Sequence, residues 1–403
     1  MPESSLAMIQ CISSIPIGYL IGSFLPAYFI GRLRNVDIRN VGSRNPGTLN
    51  TYRAFGLLPS IPTALFDCFK GVIAIFIARS IGANFVCTQI AGLAAIIGHV
   101  FPFYLKFRGG QGVGTAVGLI IYYLVMYIRA DSDFLYTVGF LLIVFLLFYY
   151  VTQSGILGRM VAFPVICYAA FAWNPGFLYN YLLLIVVAHT ELIAALNTMK
   201  LELIKIEDHT FKTHWWRVAL RPCAAIFVVF YLYWPQRLTL IFVGSIALLF
   251  ILTDVMRFIL RGANELLTVR VKTFLKKSES RRFSSMTMFL VAAFIVILVF
   301  KQDIAIAALI FLIFGDIFSK IFGLGFGRTE LFDKTVEGSL AYLGGVLICA
   351  YVLYTSLHIP MLMLLVGAVA ATVAEFMPLE IDDNFTVGIV SGAVMTVVRI
   401  FGA

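Results

Sequence analysis

With 403 residues, of which 61% are hydrophobic and only 13% charged, the chain has too little polar surface to cover a soluble globule of its size. That excludes a water-soluble enzyme and points to an all-α polytopic membrane protein. The formal net charge of +9 does not imply a nucleic-acid partner, because Lys and Arg sit in short loops beside apolar runs and not in one domain. Anionic membrane lipids and phosphorylated substrates account for it.

A span needs roughly 20 apolar residues. In chain order, the first half offers segments 8–31, 56–80, 86–105, 113–129, 134–152, 159–174 and 176–196. The second half offers 217–234, 238–261, 285–301, 303–322, 338–356, 359–378 and 384–402. Together they predict about 14 transmembrane helices in two seven-helix halves. The 159–174 segment is short and reads as broken or re-entrant. Met8–Ile30 has no basic flank or small-residue cleavage site, so it reads as a retained helix. The six cysteines, Cys11, Cys68, Cys87, Cys167, Cys223 and Cys349, lie in apolar runs without disulfide or zinc spacing and read as packing residues.

Placing the N-terminus outside makes every inward loop of the first half basic: Arg32, Arg34, Arg39, Arg44 and Arg53, then Lys106 and Arg108, then Arg159, then Lys200, Lys205 and Lys212. The positive-inside rule makes that face cytoplasmic, in a multi-pass protein of the cell (plasma) membrane with its active sites on that face. The polar stretch Asn197–Arg217 interrupts the hydropathy and sets a domain boundary, giving domains 1–205 and 206–403. The two halves share no motif order, which speaks against the repeats of a transporter.

In the first half, Gly42–Asn50 supplies tight turns, exposed amides and hydroxyls, flanked by Arg44 and Arg53 as anion partners. Gly109–Thr115 runs directly into a span, so its amides fall at a helix N-terminus that favours an anion, with Lys106 and Arg108 nearby. Asp67 and Lys70, three residues apart, share one helix face within a span, where ionisable groups need partners. His99 precedes Phe101 and Pro102 at one span end, and His189 sits near the end of the seventh span.

The ordered motifs Gly22–Tyr28 (GSFLPAY), 42–53 (GSRNPGTLNTYR), 67–71 (DCFKG) and 98–102 (GHVFP) leading into 106–115 (KFRGGQGVGT) resemble the bacterial acyl-phosphate-dependent glycerol-3-phosphate acyltransferases (PlsY). The resemblance covers roughly residues 8–205 and implies seven spans, acyl phosphate and glycerol 3-phosphate as substrates, lysophosphatidic acid as product and no cofactor. It implies catalytic roles for Ser43, Lys70 and His99. It further implies substrate binding by Arg44, Asn45, Asn50, Arg53, Lys106, Gly109, Gly110, Gly112, Thr115 and His189. Two positions depart from the family pattern: Gln111 stands where lysine is usual, and Leu192 where asparagine follows the histidine. A serine-containing segment expected after the fifth span reads Thr152-Gln153-Ser154-Gly155.

In the second half, Gly315-Asp316 reads as a span end, followed by Gly323, Gly325, Gly327-Arg328 and then Asp333–Ser339 (DKTVEGS) as a phosphate loop. A lone Asp316 there suits Mg²⁺. Lys334 and Arg328 are positioned to neutralise transferring phosphates. Glu375 and the acidic run Glu380, Asp382, Asp383 and Asn384 follow. These motifs, with Asp254–Arg257 and the basic segment Lys276–Arg282, resemble the CTP-dependent lipid-alcohol kinases (dolichol, phytol and yeast-type diacylglycerol kinases), relatives of the phosphatidate cytidylyltransferases. The resemblance implies catalytic Asp316 and Lys334, a metal at Asp316, and nucleotide binding by Gly315, Gly327, Arg328, Thr335, Glu337, Gly338, Asp383 and Asn384, with CTP and Mg²⁺ as cofactors.

The sequence is therefore read as a membrane enzyme of phospholipid biosynthesis, an acyltransferase-like half joined to a CTP-dependent lipid-kinase-like half. A lipid kinase with a degenerate first half stays open as an alternative, as does a membrane transporter or scaffold.

Overall fold

The computed structural model describes residues 3–204, 221–259, 283–332, 334–378 and 382–401. Lys205, Lys212, Lys276–Arg282, Asp333 and Glu380 lie outside the described residues. Among the described residues the fold is all-α apart from one hairpin. The helices are α1 (Glu3–Ser23), α2 (Pro26–Leu33), α3 (Thr48–Phe55), α4 (Leu57–Ser80), α5 (Phe85–Val100), α6 (Val113–Ala130), α7 (Phe134–Thr152), α8 (Gly155–Trp173) and α9 (Tyr179–Lys200). The second half adds α10 (Ala225–Tyr233), α11 (Gln236–Ile259), α12 (Ser285–Val299) and α13 (Gln302–Phe326), then strands β1 (Glu330–Leu331) and β2 (Lys334–Thr335). It closes with α14 (Val336–Leu357), α15 (Met361–Phe376) and α16 (Asp383–Phe401). Among the described residues, 11 helices are long and apolar enough to cross a membrane, and Arg221–Tyr233, Ser285–Val299 and Met361–Phe376 are shorter apolar helices.

The expected break at 159–174 is absent: α8 is a continuous 19-residue helix that tolerates Pro164. Arg159 lowers the hydropathy of its first turn, which hid the start at Gly155. α9 runs to Lys200, four residues into the stretch read as a linker, with that lysine favourably placed at the helix C-terminus.

The chain forms two compact units, 1–142 with 162–201, and 143–161 with 202–403. The expected boundary near 205 left 143–161 in the first half, whereas that stretch groups with the second unit. Its Phe148 side chain lies 5.6 Å from Phe318 and 4.9 Å from Phe322 between ring centroids, and meets Gly344 of α14.

In the first unit, α1 and α5 meet through small residues, the usual device where lipid gives no hydrophobic drive between helices. A side chain at Gly18 or Gly22 would overlap the backbone of Ala91 or Ala95, and one at Gly98 would overlap that of Tyr19. This close approach brings together Cys11 and Cys87, whose Cα atoms are 5.3 Å apart and whose side chains are joined in a disulfide. The reading of all six cysteines as packing residues is therefore wrong for these two. They are 76 residues apart, and only the helix pairing makes them neighbours. Gly118 of α6 similarly lies against the Cys68 carbonyl of α4, so α4, α5 and α6 converge.

In the second unit, α13 is the central helix, buried from Ile304 to Asp316. It does not end at Gly315-Asp316 as the sequence suggested but continues to Phe326, carrying Gly323 and Gly325 within the helix. Phe318, Phe322 and Phe326 recur every four residues with stacked or tilted rings, and this apolar stripe extends the helix past the glycines. The loop is thereby confined to 327–335, and β1 and β2 pair Glu330 with Thr335 and Leu331 with Lys334.

Candidate active site

The first unit gathers its ionisable residues where α4, α5 and α6 converge. Lys70 Nζ donates to Asp67 Oδ1 at 2.9 Å and reaches the Phe24 carbonyl at 3.4 Å. The same Asp67 oxygen faces His99 Nδ1 at 3.5 Å, and all three side chains are buried. A buried carboxylate is tolerated only with such partners. The glycine-rich turn folds back on this cluster, with Gly110 N donating to the His99 carbonyl and Gly109 N to that of Val100, each at 3.0 Å. At Gly110 a Cβ would collide with His99 Nε2 and come within 3.2 Å of Asn45 Oδ1, so only glycine fits. Gly112, at φ 72°, turns the chain into α6. In the first turn of α6, Thr115 Oγ1 is buried without a hydrogen-bond partner among the described residues.

Beside the turn lies a pocket of about 510 Å³ lined by Tyr28, Asp37, Arg39, Asn40, Arg44, Tyr104, Leu105, Lys106, Arg108 and Gly109. Arg39 is committed to structure: it holds Asp37 at 2.7 Å and stacks over the Tyr28 ring. Its hydrogen bond, partly opposed by desolvation, holds the Asp37 carboxyl below the usual range. Arg44, Lys106 and Arg108 make no ion pair among the described residues. Three cations on one pocket suit phosphate groups. Arg44 and Lys106 have φ of 61° and 54°, an uncommon left-handed backbone for bulky side chains.

Other predicted residues divide by role. Asn50 is buried and spent on the loop: its Nδ2 donates to the Ile38 and Val41 carbonyls at 3.1 and 2.9 Å, and its Oδ1 accepts from Ser43 N at 2.9 Å. Ser43 and Arg53 are exposed, and neither lines the pocket. His189 Nε2 meets the Gln111 carbonyl at 3.0 Å.

In the second unit, most of the predicted residues meet at one end of the bundle. Lys334 Nζ bridges Glu375 Oε1 and Asp383 Oδ2, both at 3.0 Å. Burial works against its charge, but the two carboxylates outweigh it and hold the ammonium above the ordinary lysine range. Ser319 Oγ donates to Glu375 Oε1 at 3.0 Å. Arg221 joins Asp316 to Asn384, donating to Asn384 Oδ1 at 3.0 Å, and Lys320 lies 2.9 Å from Asp316 Oδ2. Desolvation raises the Asp382 carboxyl, which accepts from Asn384 Nδ2 at 2.6 Å.

Glu337 is a loop organiser: its carboxylate accepts from Arg328 N at 3.0 Å and Thr329 N at 3.1 Å. Thr335 caps α14 through Gly338 N at 3.1 Å, with Gly327 packed against it. Gly315 sits under the Tyr342 ring, away from any loop. Asp316 was expected to hold a metal. One of its oxygens is engaged by both Arg221 and Lys320, and no group of three or more His, Cys, Asp or Glu among the described residues is arranged for a cation. The Asp316 carboxylate is thus paired with cationic side chains in this structure.

A profile of the family described as glycerol-3-phosphate acyltransferase matches residues 12–198. A glycerol-3-phosphate acyltransferase of Streptococcus thermophilus is 33% identical over 204 residues, covering 47% of this chain and 91% of its own. The chain belongs to the glycerol-3-phosphate acyltransferase family. A relative of the same name from Thermus thermophilus is 33% identical over 185 residues, covering 46% of this chain and 90% of that one. Glycerol-3-phosphate acyltransferase 1 of Deinococcus radiodurans is 41% identical over 112 residues, so the chain spans only 57% of that relative's length. A crystal structure of PlsY, an integral membrane glycerol 3-phosphate acyltransferase in its glycerol 3-phosphate form, aligns with TM-score 0.37 and 28% identity over 48% of this chain and 93% of that one.

Within the acyltransferase-family stretch, the structure brings together Lys70, His99, Asn45, Gly110 and Gly112, and sets Arg44, Lys106 and Gly109 on the adjoining pocket. Sequence reasoning missed Asn197, which meets Gln111, and the pocket-lining Tyr28 and Tyr104. Their signal was weak: tyrosines are common at membrane interfaces, and Asn197 opened a polar stretch read as a linker.

Proposed function

We propose that the first unit transfers an acyl group from acyl phosphate to glycerol 3-phosphate, giving lysophosphatidic acid and inorganic phosphate. The observation that carries this reading is the pocket whose Arg44, Lys106 and Arg108 have no ion-pair partner among the described residues, set beside the Gly109–Gly110 turn that folds back on His99 of the Lys70–Asp67–His99 cluster. A hydroxyl of glycerol 3-phosphate attacks the acyl carbonyl, the bond from that carbon to the phosphate oxygen breaks, and the hydroxyl proton passes to a substrate phosphate. Acyl phosphate is already activated, so the protein supplies orientation and charge stabilisation. Arg44, Lys106 and Arg108 fix the phosphates, and the N-terminus of α6 with Thr115 lies next to the turn. Both substrates are phosphorylated metabolites of the cell interior, which supports the reading that the basic loops face the cytoplasm.

A second activity, CTP-dependent phosphorylation of a lipid alcohol by the second unit, is favoured by one observation. Residues far apart in sequence, Asp316, Lys334, Glu375, Asp383 and Asn384, form one polar network at a bundle end. Lys334 and Arg328 are the groups assigned to phosphate.

Purified protein incubated with palmitoyl phosphate and labelled glycerol 3-phosphate should yield labelled lysophosphatidic acid. Incubation with CTP, Mg²⁺ and a panel of lipid alcohols should yield a phosphorylated lipid. No labelled product in the first assay, from protein shown to be folded, refutes the acyltransferase reading.

A further inference from the structure

We propose that Gln111 and Asn197 form a latch that positions the glycine-rich turn for the acyl donor, with His189 as its second anchor. The proposal rests on the acyltransferase reading of the first unit. Gln111 Nε2 donates to Asn197 Oδ1 at 2.9 Å, and Asn197 Nδ2 donates back to Gln111 Oε1 at 3.2 Å. The Gln111 amide is thus turned towards α9. His189 Nε2 lies 3.0 Å from the Gln111 carbonyl. A carbonyl only accepts, so this nitrogen carries the proton and donates it to the backbone.

Both anchors stand on α9, eight residues apart and about 12 Å along its axis at the helical rise. Two points so separated fix the orientation of the turn as well as its position. On its other side the turn is tied to the end of α5 through Gly109 and Gly110. In between, Gly112 at φ 72° leaves the backbone free to pivot, and its Cβ position is 3.1 Å from His189 Nε2. Without the α9 contacts, residues 111–112 would be held among the described residues by little more than the Ala116 N–H on the Gly112 carbonyl, and the amides leading into α6 would lose their aim at the donor phosphate. Gln111 and Asn197 are positioning residues in this scheme.

The test uses the full-length purified protein with palmitoyl phosphate and glycerol 3-phosphate. Gln111→Leu and Asn197→Leu should each raise KM for palmitoyl phosphate about tenfold, the scale of one net hydrogen-bond pair. KM for glycerol 3-phosphate should stay within about twofold, because the latch holds the donor side of the site. The double Leu variant should be no worse than either single one. The exchanged pair, Gln111→Asn with Asn197→Gln, conserves total side-chain length and should recover most of the loss. Should the Leu variants fail to fold, Asn197→Ala at the end of α9 carries the same expectation, since alanine suits a helix.

Additive losses, equal rises in both KM values, or no recovery in the exchanged pair would overturn the latch. Hydrogen exchange of residues 109–115 provides a readout independent of turnover: it should accelerate in the single variants and slow again in the exchanged pair. If the parent protein shows no acyl transfer, the acyltransferase reading falls alone. Unchanged exchange then still refutes the latch.

Discussion

Asp67 and Lys70, one turn apart on α4, form an ion pair of 2.9 Å at 2% and 0% exposure, and His99 from α5 completes it at 3.5 Å. Breaking such a pair on one side strands a charge. Lys70→Met should therefore destabilise the protein by about 3 kcal/mol or more and abolish acyl transfer. Combining it with Asp67→Leu removes the stranded carboxylate and should restore much of the thermal stability in detergent while leaving acyl transfer dead. Recovery of turnover in the double variant would show that Lys70 serves folding alone.

Arg44, Lys106 and Arg108 line the same pocket as Arg39 but differ in having no carboxylate partner among the described residues. Alanine at any of the three should lower kcat/KM by about tenfold or more, the scale of a charge-assisted bond to phosphate, with little change in unfolding temperature. Arg39→Met should act in the opposite sense, through stability. Asp37 is held below its ordinary range by Arg39, so the pair contributes above the unfolded carboxylate pKa and loses that contribution as pH falls through the lower folded value. Acid unfolding of the parent should show this loss below about pH 4, and Arg39→Met should lack it. The pair is partly exposed, so the effect is about 1 kcal/mol or less.

Asn50 was expected to bind substrate, and its amide is instead consumed by three backbone groups of the 38–43 loop. Asn50→Ala takes the acceptor from the Ser43 N–H and one of two donors from the Ile38 and Val41 carbonyls, which keep the Val41 and Arg44 N–H groups, a loss of about 1 to 3 kcal/mol. Asn50→Asp should be no better, because a carboxylate oxygen would face two carbonyls. Thermal melts of both variants beside Arg44→Ala separate the roles: a melt unchanged by Asn50→Ala would return Asn50 to the substrate.

The sequence carried the local part of this architecture and not the part made by packing. Asp67 and Lys70 were legible as a pair because three residues bring groups to one helix face. His99 joins them only because Gly18, Gly22 and Gly98 let α1 and α5 come close, with α4 and α6 drawn in around Gly118. Cys11 and Cys87 were misread for the same reason. Gln111 stood out as a departure from its family, yet its partner lay 86 residues away in a polar stretch, where α9 runs one turn further than hydropathy suggested. In the second unit, glycines suggested a loop after Asp316, and the Phe318, Phe322 and Phe326 stripe overrode them.

Lys334 lies between Glu375 and Asp383 with its side chain 27% exposed, the one cation paired with both carboxylates among the described residues. Its folded pKa is raised, so its contribution is complete below the unfolded lysine value near 10.5 and is lost only as pH climbs past it. The parent should therefore show no change in stability from this group between pH 6 and about 9. Lys334→Met leaves two carboxylates facing each other without the ammonium between them, so the variant should lose stability. At neutral pH the difference should reach about 2 to 4 kcal/mol, less than for a fully buried pair because solvent screens part of it. Lys334→Arg keeps the charge and should hold the neutral-pH stability while impairing any CTP-dependent phosphorylation, since a planar fork replaces a compact ammonium. A loss of the same size in Lys334→Arg as in Lys334→Met would mean that the packing of the lysine stem, and not its charge, supports this end of the bundle.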